Sequence, residues 1–333
     1  MRGAIMKIAI GLVGLSAACA GGGLGWLRFA KPEMRPASNE KVEATPARLA
    51  RGEYLTEHLM QCFHCHSEHD PNRAGMPIVN GKGAGGFVFD RTLGLPGEVQ
   101  PPNITPAAMA NVTDGELMRA IREGIGHDGR VLFPMMPYRD YRSMSDEDLR
   151  AIIVYLRTLP AAPKQTQKTV IDFPVNYFIR GVPAPVEGVV TAPNPNDSVA
   201  YGKYLVNLAG CHSCHTPMDK RGQSVEGRDF AGGREFALTW RDGKLGPRVV
   251  TANITSHPDG YFGHATKREF IDRVKSYAPL VDEHPPVDVS INTLMPWREL
   301  SGLTEQDLGA IYDYMKTVPP VAGKPNPYPD ATR

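Results

Sequence analysis

Apolar residues fall three and four apart in two places along the chain, and in both a proline closes the run. Leu149, Ile152, Ile153 and Leu156 form one helix face ended by Pro160, and Leu308, Ile311, Tyr312 and Met315 form another ended by Pro319. Each run follows a capping-box pattern, Ser145 with Asp148 and Thr304 with Asp307, so the two helices are predicted to start at equivalent points. Upstream of each, TDGELMRAIREGI (113–125) and TKREFIDRVKSY (266–277) read as middle helices. Gly52-Glu53-Tyr54-Leu55 and Gly202-Lys203-Tyr204-Leu205 read as the last turns of opening helices. A quite different run, IAIGLVGLSAACAGGGLGWL, extends from Ile8 to Leu27 without a charge.

These segments recur in one order, which makes the chain a tandem repeat. Asn103-Ile104-Thr105 is echoed by Asn253-Ile254-Thr255, and Met136-Pro137 by Met295-Pro296. The expected division is 1–35 as signal anchor or transmembrane helix, 36–160 as the first domain and 161–196 as a linker. The second domain is expected at 197–320, with a tail at 321–333. Pro163, Pro174, Pro183, Pro185, Pro193 and Pro195 make an extended, stiff linker the expectation. A glycine inside a helix costs about 1 kcal/mol, and its occurrence at both Gly52 and Gly202 predicts a close crossing of first and last helices near Tyr155 and Tyr314.

Composition narrows the setting. The 34 glycines and 30 prolines suit short helices joined by long loops, and 333 residues suffice for two domains. The net charge of +1 hides an asymmetry: residues 1–35 carry five Lys or Arg and one acid, leaving 32 bases against 35 acids beyond them. No concentrated basic face points to nucleic acid. The uncharged run, flanked by Arg2, Lys7, Arg28, Lys31 and Arg35, is long enough to cross a bilayer, with Trp26 where an interfacial aromatic would sit. Ala18-Cys19-Ala20 also fits a cleaved signal peptide, and a lipoprotein at Cys19 is a third option.

Four of the five cysteines carry the chemistry. Cys62-Phe63-His64-Cys65-His66 and Cys211-His212-Ser213-Cys214-His215 are two copies of C-x-x-C-H, the attachment signature of c-type haem. Two thiols reach the two vinyl groups of one porphyrin, and the adjacent imidazole becomes the proximal iron ligand. A redox disulfide would want a βαβ setting, and a four-thiolate zinc site would leave His66 and His215 without a role. Two covalently bound haem c groups are therefore expected. Such attachment takes place outside the cytoplasmic membrane, so the haem domains should face the periplasm, on an inner-membrane anchor or, if the leader is cleaved, as a soluble protein.

The sixth iron ligands separate a carrier from a catalyst, because a haem closed by His and Met does not readily bind oxygen or peroxide. Met136 and Met295, both followed by proline at the head of the terminal helix, are the candidates, with Met135 competing for the first site. The interval from histidine to methionine is 70 residues in the first copy and 80 in the second, and the excess falls at 276–293, over the second haem or against a partner. Asn103, Thr105, Asn253 and Thr255 either meet haem propionates or brace a loop. The remaining histidines are expected outside the ligand set.

The stretch PPNITP…TDGELMRAIREGIGHDGRVLFPMMPYRDYRSMSDEDLRAIIVYLRTLP resembles the multihaem cytochrome c subunits of membrane-bound alcohol, gluconate and related periplasmic dehydrogenases. The resemblance is close over 47–160 and looser over 197–320. It implies a mainly α chain of two tandem class I cytochrome c domains behind an N-terminal transmembrane helix, with His66/Met136 and His215/Met295 as axial pairs. It also implies electron transport from a periplasmic dehydrogenase subunit to quinone or a terminal oxidase of the respiratory chain, with this chain as an electron-transfer protein or the cytochrome subunit of an oxidoreductase complex. The chain departs from the alcohol dehydrogenase subunits in having two haem motifs where three are usual. The alternative is a di-haem cytochrome c peroxidase-type enzyme with one open haem.

Overall fold

The computed structural model describes residues 32–220, 222–239, 245–287 and 292–329. The uncharged run Ile8–Leu27, Cys19 and the anchor they imply lie outside those residues. Among the described residues no helix is long and apolar enough to cross a membrane.

The first copy opens with α1 (Pro46–Tyr54), capped by Thr45 and prolonged by a π turn, Leu55–Leu59. Next come α2 (Cys62–His66), α3 (Pro106–Met109), α4 (Asp114–Glu123), α5 (Tyr138–Tyr141) and α6 (Asp146–Thr158). Helix α7 (Val175–Phe178) lies in the connecting segment. The second copy repeats the series as α8 (Ser198–Leu208), α9 (Cys211–His215), α10 (Tyr261–His264), α11 (Lys267–Lys275), α12 (Trp297–Leu300) and α13 (Glu305–Met315). The middle helices carry complete capping boxes, Thr113 with Glu116 and Thr266 with Glu269.

Within each copy the first and last helices pack against each other, α1 on α6 and α8 on α13. Glycine makes the crossing possible. A Cβ on Gly52 would lie 2.0 Å from the Ala151 carbonyl oxygen and 2.9 Å from Tyr155 Cβ. One on Gly202 would lie 1.9 Å from Ala310 O and 2.9 Å from Tyr314 Cβ. The expected close crossing is thus found twice, at the tyrosines named. The apolar core runs through both copies, from Leu55 and Leu149 to Leu205 and Leu308.

Three features depart from the repeat. Tyr54 and Cys62 stand one residue further apart than Tyr204 and Cys211, and the π turn absorbs the extra residue without shifting the flanking helices. The second copy carries an antiparallel hairpin, β3 (Glu235–Thr239) with β4 (Leu245–Val250), while β1 (Gly97–Glu98) pairs with β2 (Val170–Ile171) of the connecting segment. That segment runs along the first copy: Asp146 N–H donates to Val190 O at 2.9 Å, and Arg142 donates to Ala184 O and Pro185 O.

The two copies meet through a reciprocal contact. The Tyr54 hydroxyl donates to Asp307 Oδ2 at 2.7 Å and accepts from Thr304 N–H at 3.0 Å. The Tyr204 hydroxyl donates to Asp148 Oδ2 at 2.6 Å and accepts from Ser145 N–H at 3.0 Å. The sequence pattern predicts that the acid of each box caps its own helix start. Ser145 and Thr304 do accept from the N–H of Asp148 and Asp307. A tyrosine of the other copy, however, stands where the acid would have closed the box.

Candidate haem-binding site

A residue in the left-handed region, Gln61 in one copy and Gly210 in the other, reverses the chain ahead of each C-x-x-C-H motif and starts a single helical turn. Side chains at i, i+3 and i+4 share a helix face, so Cys62, Cys65 and His66 point the same way, as do Cys211, Cys214 and His215. All six line one continuous cavity of about 3220 Å³. Pockets for a single drug-sized ligand measure about 300–1,000 Å³, so the space is several times larger than one such pocket.

Met136 and Met295 line the same cavity and pack against the apolar core. In both copies the following proline forms an inverse γ-turn: Tyr138 N–H donates to Met136 O, and Trp297 N–H to Met295 O, each at 2.8 Å. Met135 also borders the cavity but is not among the residues packed on that core.

The histidines are set for a metal. His66 Nδ1 lies 2.7 Å from Pro102 O and His215 Nδ1 2.8 Å from Ala252 O. A carbonyl only accepts, so Nδ1 must carry the proton in each ring, which leaves the Nε2 lone pair free. Burial holds both imidazoles below the ordinary histidine range, in the neutral form a metal needs.

The carbonyls are placed by the residues that follow them. Asn103 Oδ1 accepts from Thr105 N–H and Oγ1–H, each at 2.8 Å, while its amide donates to Ala162 O and Lys164 O. Asn253 and Thr255 repeat the arrangement with Val321 O and Gly323 O as acceptors. These four residues therefore brace the loop that aims the histidine. Their donors are spent inside the protein and not on a propionate.

The thiols differ from a redox dithiol. Cys62 is half-buried and Cys65 is exposed to the cavity it lines; the protein packed around them pushes their thiols up to about 12 and about 11, with the neighbouring Cys214 adding to the rise at Cys65. Cys211 is likewise pushed up to about 12 by burial. Reactive C-x-x-C thiols shift the other way. Among the described residues no group of three or more His, Cys, Asp or Glu could hold a bare metal ion. Paired thiols, a neutral imidazole and a thioether around an apolar space are the donor set of a covalently attached porphyrin.

The extra residues at 276–293 reach the first copy. Ala74 N–H donates to Pro285 O, Val287 N–H to Asn72 O, and Asn292 Nδ2 to Pro71 O.

Residues 47–156 match the family model described as cytochrome C oxidase, cbb3-type, subunit III, a range within the first copy. The chain is 27% identical over 302 residues to the fructose dehydrogenase cytochrome subunit of Gluconobacter japonicus, covering 84% of this chain and 55% of that one. It is 26% identical over 299 residues to the alcohol dehydrogenase (quinone) cytochrome c subunit of Gluconobacter oxydans (strain 621H), with 84% and 56% covered. To the gluconate 2-dehydrogenase cytochrome c subunit of Pantoea cypripedii it is 33% identical over 186 residues, 53% of this chain and 39% of that one. The chain thus spans little more than half the length of the first two relatives. It resembles the multihaem cytochrome c subunits of such dehydrogenases, and its two C-x-x-C-H motifs are of the kind that hold covalently bound haem c.

Proposed function

We propose that the chain is a di-haem electron carrier, anchored by residues 1–35 in the inner membrane with two class I cytochrome c domains, 36–160 and 197–320, in the periplasm. In this reading Cys62 and Cys65 attach one haem and Cys211 and Cys214 the other, with His66/Met136 and His215/Met295 as axial ligands. The observation that carries it is the duplicated set of two thiols, a proton-oriented imidazole and a proline-turned methionine around one cavity. Haem supplies a one-electron couple at iron when bound. The protein does the rest: His66 and His215 offer a fixed Nε2, Met136 and Met295 would supply the second iron ligands, and the apolar residues of the cavity wall would limit access of water.

The names of the relatives support a dehydrogenase subunit as electron donor; in this reading that subunit is periplasmic and the acceptor is quinone or a terminal oxidase. The test is a pyridine haemochrome assay with optical and paramagnetic spectra of the full chain in mild detergent. Two c-type haems, low-spin in both oxidation states and reduced by a co-purified dehydrogenase, are expected. Fewer than two haems refutes the di-haem reading, and a high-spin fraction with peroxide turnover favours the peroxidase alternative.

A further inference from the structure

One residue of the first copy stands at the attachment motif of the second. Asp140, on α5, accepts a hydrogen bond from Ser213 Oγ at 2.9 Å, and Ser213 lies between Cys211 and Cys214. Among the described residues no lysine or arginine pairs with the Asp140 carboxylate.

From the other side, Arg234 of the second copy donates to the Ser213 carbonyl oxygen and lies over the Phe236 ring at 4.9 Å. It too has no carboxylate partner among the described residues. Ser213 is therefore bracketed by a bare carboxylate and a bare guanidinium, one from each copy.

The first site lacks this bracket. By repeat position Glu299 answers to Asp140 and stands near His64, the counterpart of Ser213, but Arg298 neutralises it, with Nε 3.0 Å from its Oε1. Phe87 answers to Arg234, since Gly85 N–H and Gly232 N–H bond the carbonyls of His66 and His215 two residues earlier. An extra electron at iron is opposed by a nearby fixed negative charge and favoured by a positive one.

We infer that Asp140 and Arg234 are opposed tuning charges for the second haem alone, so that the first copy sets part of the second copy's electron affinity. The inference rests on the di-haem reading. Contact between the copies keeps Asp140 in place, which ties the second potential to their docking.

The experiment is a spectroelectrochemical titration of the detergent-solubilised holoprotein, in which two midpoints are resolved. Asp140→Asn should shift one midpoint upward and leave the other in place. Arg234→Gln should shift that same midpoint downward. Ser213→Ala, which keeps both charges but frees the carboxylate, should raise it by a smaller step. Asp140→Asn moving neither midpoint, or both equally, overturns the inference while the di-haem reading stands, as does Arg234→Gln acting on the other midpoint. A haem count below two in the parent protein removes the reading and the inference together.

Discussion

At the scale of single residues, His66 and His215 spend Nδ1 on a carbonyl, so each offers one free ring nitrogen to the cavity that Met136 and Met295 also line. Met136→Ala and Met295→Ala should each convert one haem to a high-spin, carbon monoxide-binding form, read in the optical spectrum. Met135→Ala should leave the spectrum unchanged. If Met135→Ala gives the high-spin signal and Met136→Ala does not, the first ligand is reassigned. The cysteines and histidines were legible in the sequence because the attachment motif is local. Met136 is preferred to Met135 only through alignment with Met295. The work of Asn103 and Asn253 was not legible, because their partners are carbonyls of 162–164 and 321–323, which carry no side-chain signal.

At the scale of elements, the crossing of first and last helix is the most demanding contact in each copy. Gly52→Ala would place a methyl group 2.0 Å from the Ala151 carbonyl oxygen, and Gly202→Ala one 1.9 Å from that of Ala310. Neither backbone can yield freely, so each change should cost about 1–3 kcal/mol, the range of overpacked cores, and lower the thermal unfolding midpoint. An unchanged midpoint in both variants would show the helices free to separate. This crossing was readable from the repeated glycine and the helical spacing of its partners. Two other features left signals that the helical reading passed over. The additional residue between Tyr54 and Cys62 is countable and becomes the π turn, and the alternation of Phe236 and Leu238 with Glu235, Ala237 and Thr239 is the period of a strand.

At the scale of the whole molecule, Tyr54 and Tyr204 join the copies through bonds to carboxylates, half-buried at Tyr54 and buried at Tyr204, each worth about 1.5–3 kcal/mol. Tyr54→Phe and Tyr204→Phe should each lower stability toward denaturant by that order, and the double variant by roughly the sum, provided the sites act independently. Burial, helped by the facing aspartates, pushes both hydroxyls above their usual value. An unfolded tyrosine ionises near about 10, so this stabilisation is complete below that pH and lost as pH climbs beyond it. A pH series of unfolding midpoints should fall in the alkaline limb, and the fall should be shallower in the double phenylalanine variant. None of this was legible from either repeat alone, because each tyrosine finds its receptor roughly 250 residues away or, in the other case, in the preceding copy. Each copy presents the same donor and the same receptor, a surface complementary to itself. Two separate single-haem chains bearing it would pair about a two-fold axis, so the tandem protein has the form of a homodimer whose subunits became one polypeptide.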